Sequence, residues 1–162
     1  MFVSHFGMAS PSRFAGGTPA NAKKFLDVLL SNESFDRTAL EGITNVRFTN
    51  GRCRCTFPVR GDKQNRYGTL HGGCIATLVD VISTAALVTK SNHPGVSVDI
   101  SVSYMSPGPA GETVEVDATL TKLGANLAFM DVTITNEQGK VVAKGSHTKF
   151  LPGTDEPRRA KL

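Results

Sequence analysis

Hydrophobic and polar residues alternate over most of the second half of the chain. Apolar side chains occupy every second position from Val96 to Tyr104, and the same period of two recurs over residues 114–120 and 128–134, with a further strand-like segment from Val141 to Phe150. A period of two is typical of a half-buried β-strand. The pattern therefore predicts four consecutive strands after residue 95.

Two more strands and a short helix are predicted in the first half. A strand-like pattern begins at Ile43, and Asn50-Gly51 interrupts it between Phe48 and Cys53. A two-residue Asn-Gly step between such segments is a strong signal for a β-hairpin. Before it, the spacing predicts an amphipathic helix from about Asn21 to Leu30.

The most apolar segment runs from Gly72 to Val88 and predicts a helix that is buried on nearly every side. Its apolar residues cover most of the helical circumference, and Asp80 is its only charged residue. A long apolar helix followed by antiparallel strands favours an α+β fold in which a curved antiparallel sheet wraps around one long central helix.

Length and composition fit one domain flanked by two extensions. The chain has 162 residues, of which 40% are hydrophobic and 20% charged, enough for a single core. We predict a disordered or targeting extension over residues 1–18, a folded domain over residues 19–152 and a tail over residues 153–162. No apolar segment is long enough to predict a membrane span.

The two extensions carry the only targeting signals. The tail ends in Ala160-Lys161-Leu162, which is similar to a peroxisomal address of the Ser-Lys-Leu type. The acid-free start is weakly similar to a mitochondrial presequence. We expect a peroxisomal protein, with a mitochondrial or cytosolic location as the alternatives.

The charge distribution does not favour a nucleic-acid-binding protein. The net charge is +4, but residues 1–26 contain Arg13, Lys23 and Lys24 and no acidic residue, which leaves +1 for the rest. A nucleic-acid-binding domain usually carries a basic stripe on its folded part. Cys53, Cys55 and Cys74 form no metal or redox motif, and we expect reduced thiols packed in the core of an intracellular protein.

Asp80 is the first candidate for chemistry. Burying an ionised carboxylate without a partner costs roughly several kcal/mol, so such a group usually finds hydrogen-bond donors or becomes protonated. Either environment suits a general base. The alternative is that Asp80 reaches solvent through a gap in the packing or only accepts backbone hydrogen bonds.

The start of the same helix is the second candidate. Gly72 and Gly73 would let a ligand approach backbone N–H groups that have no acceptor within the helix. Such a helix end attracts negative charge and could stabilise the oxyanion that forms when water attacks a carbonyl. Paired glycines are equally consistent with a tight turn or close packing.

The spacing of these two candidates predicts a dimer. Gly72 and Asp80 are eight positions apart, which corresponds to roughly 12 Å along a helix. One reacting carbon cannot contact both. If both act on it, two copies of the helix must lie antiparallel across a two-fold axis, with Gly72 of one subunit facing Asp80 of the other.

Three segments together resemble the PaaI-like hotdog-fold thioesterases, most closely the mammalian-type acyl-CoA thioesterase branch. They are Asn65 to Asp80, Pro94 to Asp99 and Tyr104 to Pro107, and the similarity extends from about Asn21 to Leu151. The resemblance implies a hotdog fold, hydrolysis of acyl-CoA to a carboxylic acid and CoA, and a homotetramer built from two dimers. It implies neither a metal nor another cofactor.

The resemblance also implies a role for five residues. Asp80 would activate the attacking water, and the N–H of Gly72 would polarise the thioester carbonyl. Asn65 would place the water or the carbonyl from the Gly72 side, Ser97 would support the site from the Asp80 side, and His71 would lie near the thioester sulfur. From the sequence alone, Ser97 could instead face solvent and His71 could be a capping or packing residue.

Further residues are candidates for binding the substrate. Besides Gly73 and Tyr67 they include cations for the CoA phosphates, each equally consistent with a solvated surface charge: Arg66, Lys90, Lys122 and Lys149. Tyr67, Leu78 and Ile82 are candidates for lining an acyl tunnel.

Two other functions remain open at this point. A hotdog hydratase or dehydratase would act on enoyl-CoA or hydroxyacyl-CoA, and a non-catalytic protein would only bind acyl-CoA. The chain has no G-x-S-x-G segment, so attack by water is favoured over an acyl-serine intermediate. An anhydride route with Asp80 as the nucleophile is also open.

Overall fold

A computed structural model describes residues 16–152 of the chain. The helices are α1 (Pro19–Ser31), α2 (Phe35–Leu40) and α3 (Gly72–Val88), and the strands are β1 (Thr44–Thr49), β2 (Arg52–Pro58), β3 (Val96–Tyr104), β4 (Thr113–Leu123), β5 (Leu127–Thr135) and β6 (Val141–Phe150). The predictions for residues 1–15 and for the Ala160-Lys161-Leu162 tail lie outside the described residues.

All six strands form one antiparallel sheet in the order β1-β2-β4-β5-β6-β3. Helix α3 packs against β2, β3, β4, β5 and β6. The predicted order of the long helix and six strands, and the predicted sheet around a central helix, are confirmed. Strand β3 follows α3 in the chain and pairs only with β6 among the described strands, so it forms one edge of the sheet.

The N-terminal helices differ in detail from the prediction. Helix α1 begins two residues earlier than predicted because the Thr18 hydroxyl accepts a hydrogen bond from Asn21 N and Pro19 stands at the first turn, where its fixed φ favours a helix. Helix α2, capped by Ser34, was not predicted. Its six residues are too few to show a helical period.

A glycine allows β6 to lie close to α3. A Cβ at Gly145 would lie 2.6 Å from Cγ1 of Val79, nearer than side-chain atoms pack. Val79 directly precedes Asp80 in the sequence. The close approach therefore brings the inner face of β6 beside Asp80.

A β-bulge turns Ser97 toward the helix. The pairing of β3 with β6 shifts between Ser97 and Asp99, and a bulge of this kind redirects side chains locally. Ser97 pairs with Lys149, whose side chain is buried on the face that α3 covers. The bulge thus places Ser97 on the same face as Lys149, although Ser97, like Val98, is exposed at this edge of the sheet.

The three cysteines are free thiols, as predicted. Cys53 and Cys55 are buried on β2, and Cys74 on α3 is half-buried. Burial raises the pKa of the Cys53 thiol to about 12 and that of Cys74 to about 11. Within residues 16–152, no helix is long and apolar enough to cross a bilayer.

Candidate active site

Asp80 lies at a partly open face of α3. Its side chain is 42% exposed, so the predicted near-complete burial of this helix is wrong for its N-terminal half. Gly73 and Thr77 precede Asp80 on the same open face. In the single chain, the Asp80 carboxylate is therefore partly open to solvent.

The Asp80 carboxylate receives a hydrogen bond from a neighbouring strand. The hydroxyl of Ser97 on β3 donates to Asp80 Oδ1 at 3.2 Å. His147 on β6 contributes Nε2, which lies 3.0 Å from Ser97 Oγ and 3.6 Å from Asp80 Oδ1. The pairing of Asp80 with Ser97, expected from the resemblance, is therefore present in one subunit.

A buried lysine lies beside the same group. Lys149 Nζ is 3.0 Å from Thr84 Oγ1, 3.3 Å from Ser97 Oγ and 3.9 Å from Asp80 Oδ1. Its side chain is buried, so it is not available at the surface as a cation for CoA phosphates. The burial of Lys149 therefore does not favour that candidate role.

His147 is held as a neutral imidazole. Burial lowers its pKa to about 4, and the nearby charge of Lys149 acts in the same direction. Its Nδ1 lies 2.7 Å from Ser83 Oγ. Because the ring is neutral, it carries one proton and bridges Ser83 to Ser97 as a donor on one side and an acceptor on the other.

Two hydroxyls of α3 fix the backbone at Asp80. Thr84 Oγ1 donates to the Asp80 carbonyl at 2.7 Å, and Ser83 Oγ lies 3.1 Å from the same oxygen. Such back-bonding is common for Ser and Thr inside helices. These residues tie the helix turn that carries Asp80 to His147 and Lys149.

The other end of α3 offers a main-chain donor. His71 is the N-cap residue, and its Nδ1 accepts a hydrogen bond from Gly73 N at 2.9 Å. Among the described residues, no hydrogen bond uses the N–H of Gly72. Gly72 therefore presents a free donor at the positive end of a 17-residue helix.

Asn65 is fixed close to this donor by its own loop. Its Oδ1 accepts hydrogen bonds from Tyr67 N at 2.9 Å and Thr69 N at 3.2 Å, and its Nδ2 donates to Thr69 Oγ1 at 2.8 Å. An amide nitrogen carries two protons. The second Nδ2 proton is therefore available to a ligand.

A cavity of about 400 Å³ joins these two groups. Asn65 and Gly72 both line it, together with Ile75, Tyr104 and Met105. The Tyr104 hydroxyl donates to the Gly72 carbonyl at 3.1 Å. Gly72 and Asn65 thus face one space in which a carbonyl oxygen could receive two N–H donors.

His71 and Gly73 face a different space. They line a second cavity of about 310 Å³ together with Phe35, Lys63 and Cys74. Since His71 Nδ1 is an acceptor, the proton of the neutral ring is on Nε2. The capping role considered for His71 is observed.

The remaining binding candidates lie outside both cavities. Tyr67 is 73% exposed, and the Arg66 guanidinium stacks on its ring with Cζ 4.7 Å from the ring centroid. Lys122 is exposed on β4. Leu78 and Ile82 are buried in the core and line neither cavity, so the tunnel expected along them is not observed there.

The sequence analysis did not predict that His147 and Lys149 lie beside Asp80. Both lie on β6, and their spacing of two residues puts them on one face of the strand. That face also holds Ala143 and Gly145, which are small enough to pack under a helix. A polar pair on such a face was the available signal.

Residues 16–152 contain no group of three or more His, Cys, Asp or Glu residues that could hold a metal ion.

Comparisons with known proteins agree on one family. The family model described as "Thioesterase superfamily" matches residues 67–143. Mouse acyl-coenzyme A thioesterase 13 is 44% identical over 133 residues, which cover 81% of this chain and 94% of that protein.

Solved structures show the same relationship. Zebrafish thioesterase superfamily member 2 matches with a TM-score of 0.77 and 39% identity, and the match covers 85% of this chain and 100% of the zebrafish chain. A Streptococcus mutans protein bound to acetyl CoA matches with a TM-score of 0.67 and 31% identity, covering 75% of this chain and 98% of that one. The chain belongs to the thioesterase superfamily and has its hotdog fold.

Proposed function

We propose that this protein hydrolyses acyl-CoA thioesters to carboxylic acids and CoA, with Asp80 as the general base. The name of the mouse relative and the acetyl CoA bound to the bacterial relative support this substrate class. The observation that carries the mechanism is the Asp80 carboxylate, half-exposed and held through Oδ1 by Ser97. Such a group has a free oxygen with which to accept a proton from water.

The reaction begins with water attack on the thioester carbonyl carbon. Asp80 accepts one proton from the water while its oxygen bonds to that carbon. The carbonyl oxygen becomes an oxyanion, and the N–H of Gly72 and the amide of Asn65 stabilise it. Donors fixed before the reaction are effective because they need no reorganisation as the charge develops.

Collapse of the tetrahedral intermediate breaks the carbon–sulfur bond. The electron pair of that bond leaves with sulfur as the CoA thiolate, and the carbonyl reforms in the acid. The proton on Asp80 then passes to the thiolate or to solvent, which regenerates the base. From the family resemblance we infer that the Nε2 proton of His71 forms a hydrogen bond with the departing sulfur. Because His71 lines the second cavity, the sulfur would have to lie on that side of Gly72.

The reaction requires a homodimer with shared sites. Gly72 and Asp80 lie roughly 12 Å apart along α3, too far to act on one carbon. Strand β3 is a sheet edge with exposed Val96, Val98 and Tyr104, and an unpaired edge of this kind favours pairing with a second chain. A two-fold axis there would bring Gly72 of one subunit toward Asp80 of the other.

The activity is tested by measuring thiol release from short, aromatic, medium and long acyl-CoAs. Asp80→Asn should lower turnover about 10²- to 10⁴-fold, the usual contribution of general-base catalysis. Asp131→Asn is the matched control, because Asp131 is exposed on β5 and should leave turnover unchanged. Unchanged hydrolysis by Asp80→Asn would overturn the role of Asp80. No thiol release by the native protein would overturn the thioesterase itself and direct attention to crotonyl-CoA hydration or simple binding.

The shared site is tested by mixing two inactive variants. Coexpressed Asp80→Asn and Gly72→Pro chains form mixed dimers in which one of the two sites has an intact Gly72 and an intact Asp80. Activity should reappear in the mixture. If each site lay within one subunit, the mixture would stay inactive.

Isotope labelling separates water attack from an anhydride. In a single turnover in ¹⁸O water, direct attack places the label in the product acid. An Asp80 nucleophile would form a mixed anhydride, and water attack on the Asp80 carbonyl of that anhydride would instead leave the label in the protein after the first turnover. We expect the label in the product.

Three broader statements belong to the same proposal. A tetramer of two dimers and a role in fatty acid metabolism rest on the family resemblance, and a peroxisomal location rests on the sequence of the tail. Light scattering of the purified protein measures the number of subunits and so tests the tetramer. A fluorescent fusion that keeps the tail free, with and without Lys161→Glu, tests the last.

A further inference from the structure

Lys149 is a buried cation whose neighbours all belong to the candidate active site. The residue is 6% exposed, and lysine is rarely so buried unless its charge is paired. Its ammonium has three oxygens nearby, on Thr84, Ser97 and Asp80. The nearest carboxylate oxygen is the one that Ser97 also contacts.

Lys149 is also the cation that faces Asp80. The other titratable group of β6 beside Asp80 is His147, which is neutral near pH 7 because its pKa is about 4. From β3, Asp99 adds a negative charge close enough to raise the pKa of His147. Among the described residues, the ammonium paired with the Asp80 carboxylate is that of Lys149, 3.9 Å from Oδ1.

The ammonium also limits the hydrogen bonds that Ser97 can form. A lysine ammonium has three donors and no acceptor, so Lys149 can only donate to Ser97 Oγ. A hydroxyl that accepts this bond keeps its single proton for another partner. When His147 Nε2 also donates to Ser97, that partner is Asp80 Oδ1, and Ser83 then donates to His147 Nδ1. This tautomer gives the carboxylate its donor. The single proton of Ser83 then goes to His147, and Thr84 Oγ1 is the hydroxyl that donates to the Asp80 carbonyl.

We propose that Lys149 is a positioning residue for the base: its ammonium lies 3.9 Å from Asp80 Oδ1, and by donating to Ser97 Oγ it leaves the Ser97 proton for that carboxylate. The inference rests on the proposed function. It assigns to Lys149 no contact with the substrate.

The test is the pH profile of kcat and KM for acyl-CoA hydrolysis by Lys149 variants. Lys149→Gln keeps an amide donor but removes the charge. It should lower kcat about 10-fold at pH 6, leave KM within about 2-fold, and move the acidic limb of the profile to higher pH, since removing a positive charge beside a carboxylate disfavours its ionised form. Lys149→Arg should restore most of kcat and return the limb toward its native position.

Lys144→Gln is the matched control. Lys144 lies on the same strand but is exposed, and it lines a polar groove on the outer face of the sheet. Its replacement should change neither kcat nor the profile.

Two results would overturn the proposal. A raised KM with unchanged kcat and an unchanged limb would mean that Lys149 binds substrate phosphate. A lower thermal midpoint with a native profile in the folded fraction would mean a purely structural role. If Lys149→Gln does not fold, Lys149→Arg provides the test. Arginine keeps the charge but has a different shape, so a native pH profile of kcat supports the role of the charge. A shifted acidic limb of that profile contradicts it.

Failure of this inference is distinguishable from failure of the proposed function. If Asp80→Asn is inactive while Lys149→Gln retains the native profile, only the role of Lys149 is wrong. If Asp80→Asn remains active, the base itself is misassigned.

Discussion

The two ends of the catalytic half of α3 use different kinds of groups. At the start, Gly72 offers a main-chain N–H, and its neighbour Asn65 is fixed by bonds within its own loop. Eight residues later, Asp80 depends on side chains from β3 and β6. One end is therefore built from local sequence, while the other is built from strands that are distant in sequence.

This difference explains how each end responds to mutation. A main-chain donor can be removed only by proline or by displacement of the helix. A side-chain network can be changed one group at a time. Substitutions at the two ends therefore test separate parts of the mechanism.

After Asp80→Asn, the largest effect in this comparison is expected at Gly72. Gly72→Pro removes the N–H at the first helical position, where proline is well tolerated and where the extended backbone of His71 already suits a following proline. Turnover should fall about 10²- to 10³-fold, the usual cost of losing one oxyanion donor. Thiol release from acyl-CoA measures it.

Gly72→Ala is the matched control for this change. It keeps the N–H, and its Cβ would meet the Tyr104 ring at 3.4 Å, which is ordinary contact. Turnover should stay within a few-fold of native, roughly, because only a small steric change is made. Equal losses in both variants would show that shape at this position matters and that the N–H does not.

A smaller effect is expected at Ser97. Ser97→Ala removes the donor to Asp80 Oδ1 but leaves Lys149 and His147 in place. We expect a loss of kcat of about 10-fold, since one hydrogen bond to a charged group contributes roughly 1.5 kcal/mol or more. A KM that rises while kcat stays native would instead place Ser97 in substrate binding.

A smaller effect is expected in the pH dependence of the free energy of unfolding, through His147. Its pKa is about 4 when folded and near 6.5 in the unfolded chain. The unfolded state therefore binds the extra proton first as pH falls, so the free energy of unfolding should decrease between about pH 6.5 and pH 4. His147→Asn should flatten that part of the curve, as measured by urea unfolding at a series of pH values. An equally steep decrease in the variant would assign the effect to other groups.

The smallest effect is on the thiols. Because burial raises the pKa of Cys53 and Cys74 to about 12 and 11, little thiolate exists at pH 8. A chromogenic thiol reagent should react slowly with the native protein and should count all three cysteines of the chain only in denaturant. Fast reaction of one thiol in the native protein would show that Cys74 is more open than its burial indicates.

Much of the fold could be predicted because its signals are local. Alternation revealed the strands, Asn50-Gly51 marked the hairpin between β1 and β2, and the apolar run from Gly72 revealed α3. Helix α2 was missed because six residues do not establish a period. The exposure of Asp80 was misjudged because the apolar run does not reveal which side of the helix the sheet leaves uncovered.

The candidate site was only partly predictable for the same reason. Asn65, His71 and Gly72 lie in one short segment, and the sequence alone placed them together at the start of the helix. His147 and Lys149 lie more than sixty positions from Asp80. Their contact with it depends on the order of strands in the sheet and on the space that Gly145 leaves for Val79.

The sequence by itself determined the elements, the motif at the start of α3 and the separation of Gly72 from Asp80, because helical rise and strand period are properties of neighbouring residues. Only the tertiary structure decided which side chains surround the carboxylate. Strand order brings β3 and β6 together at the edge of the sheet, and the bulge at Ser97 turns its hydroxyl inward. Lys149 thereby becomes a buried charge next to the base instead of one more lysine on the surface.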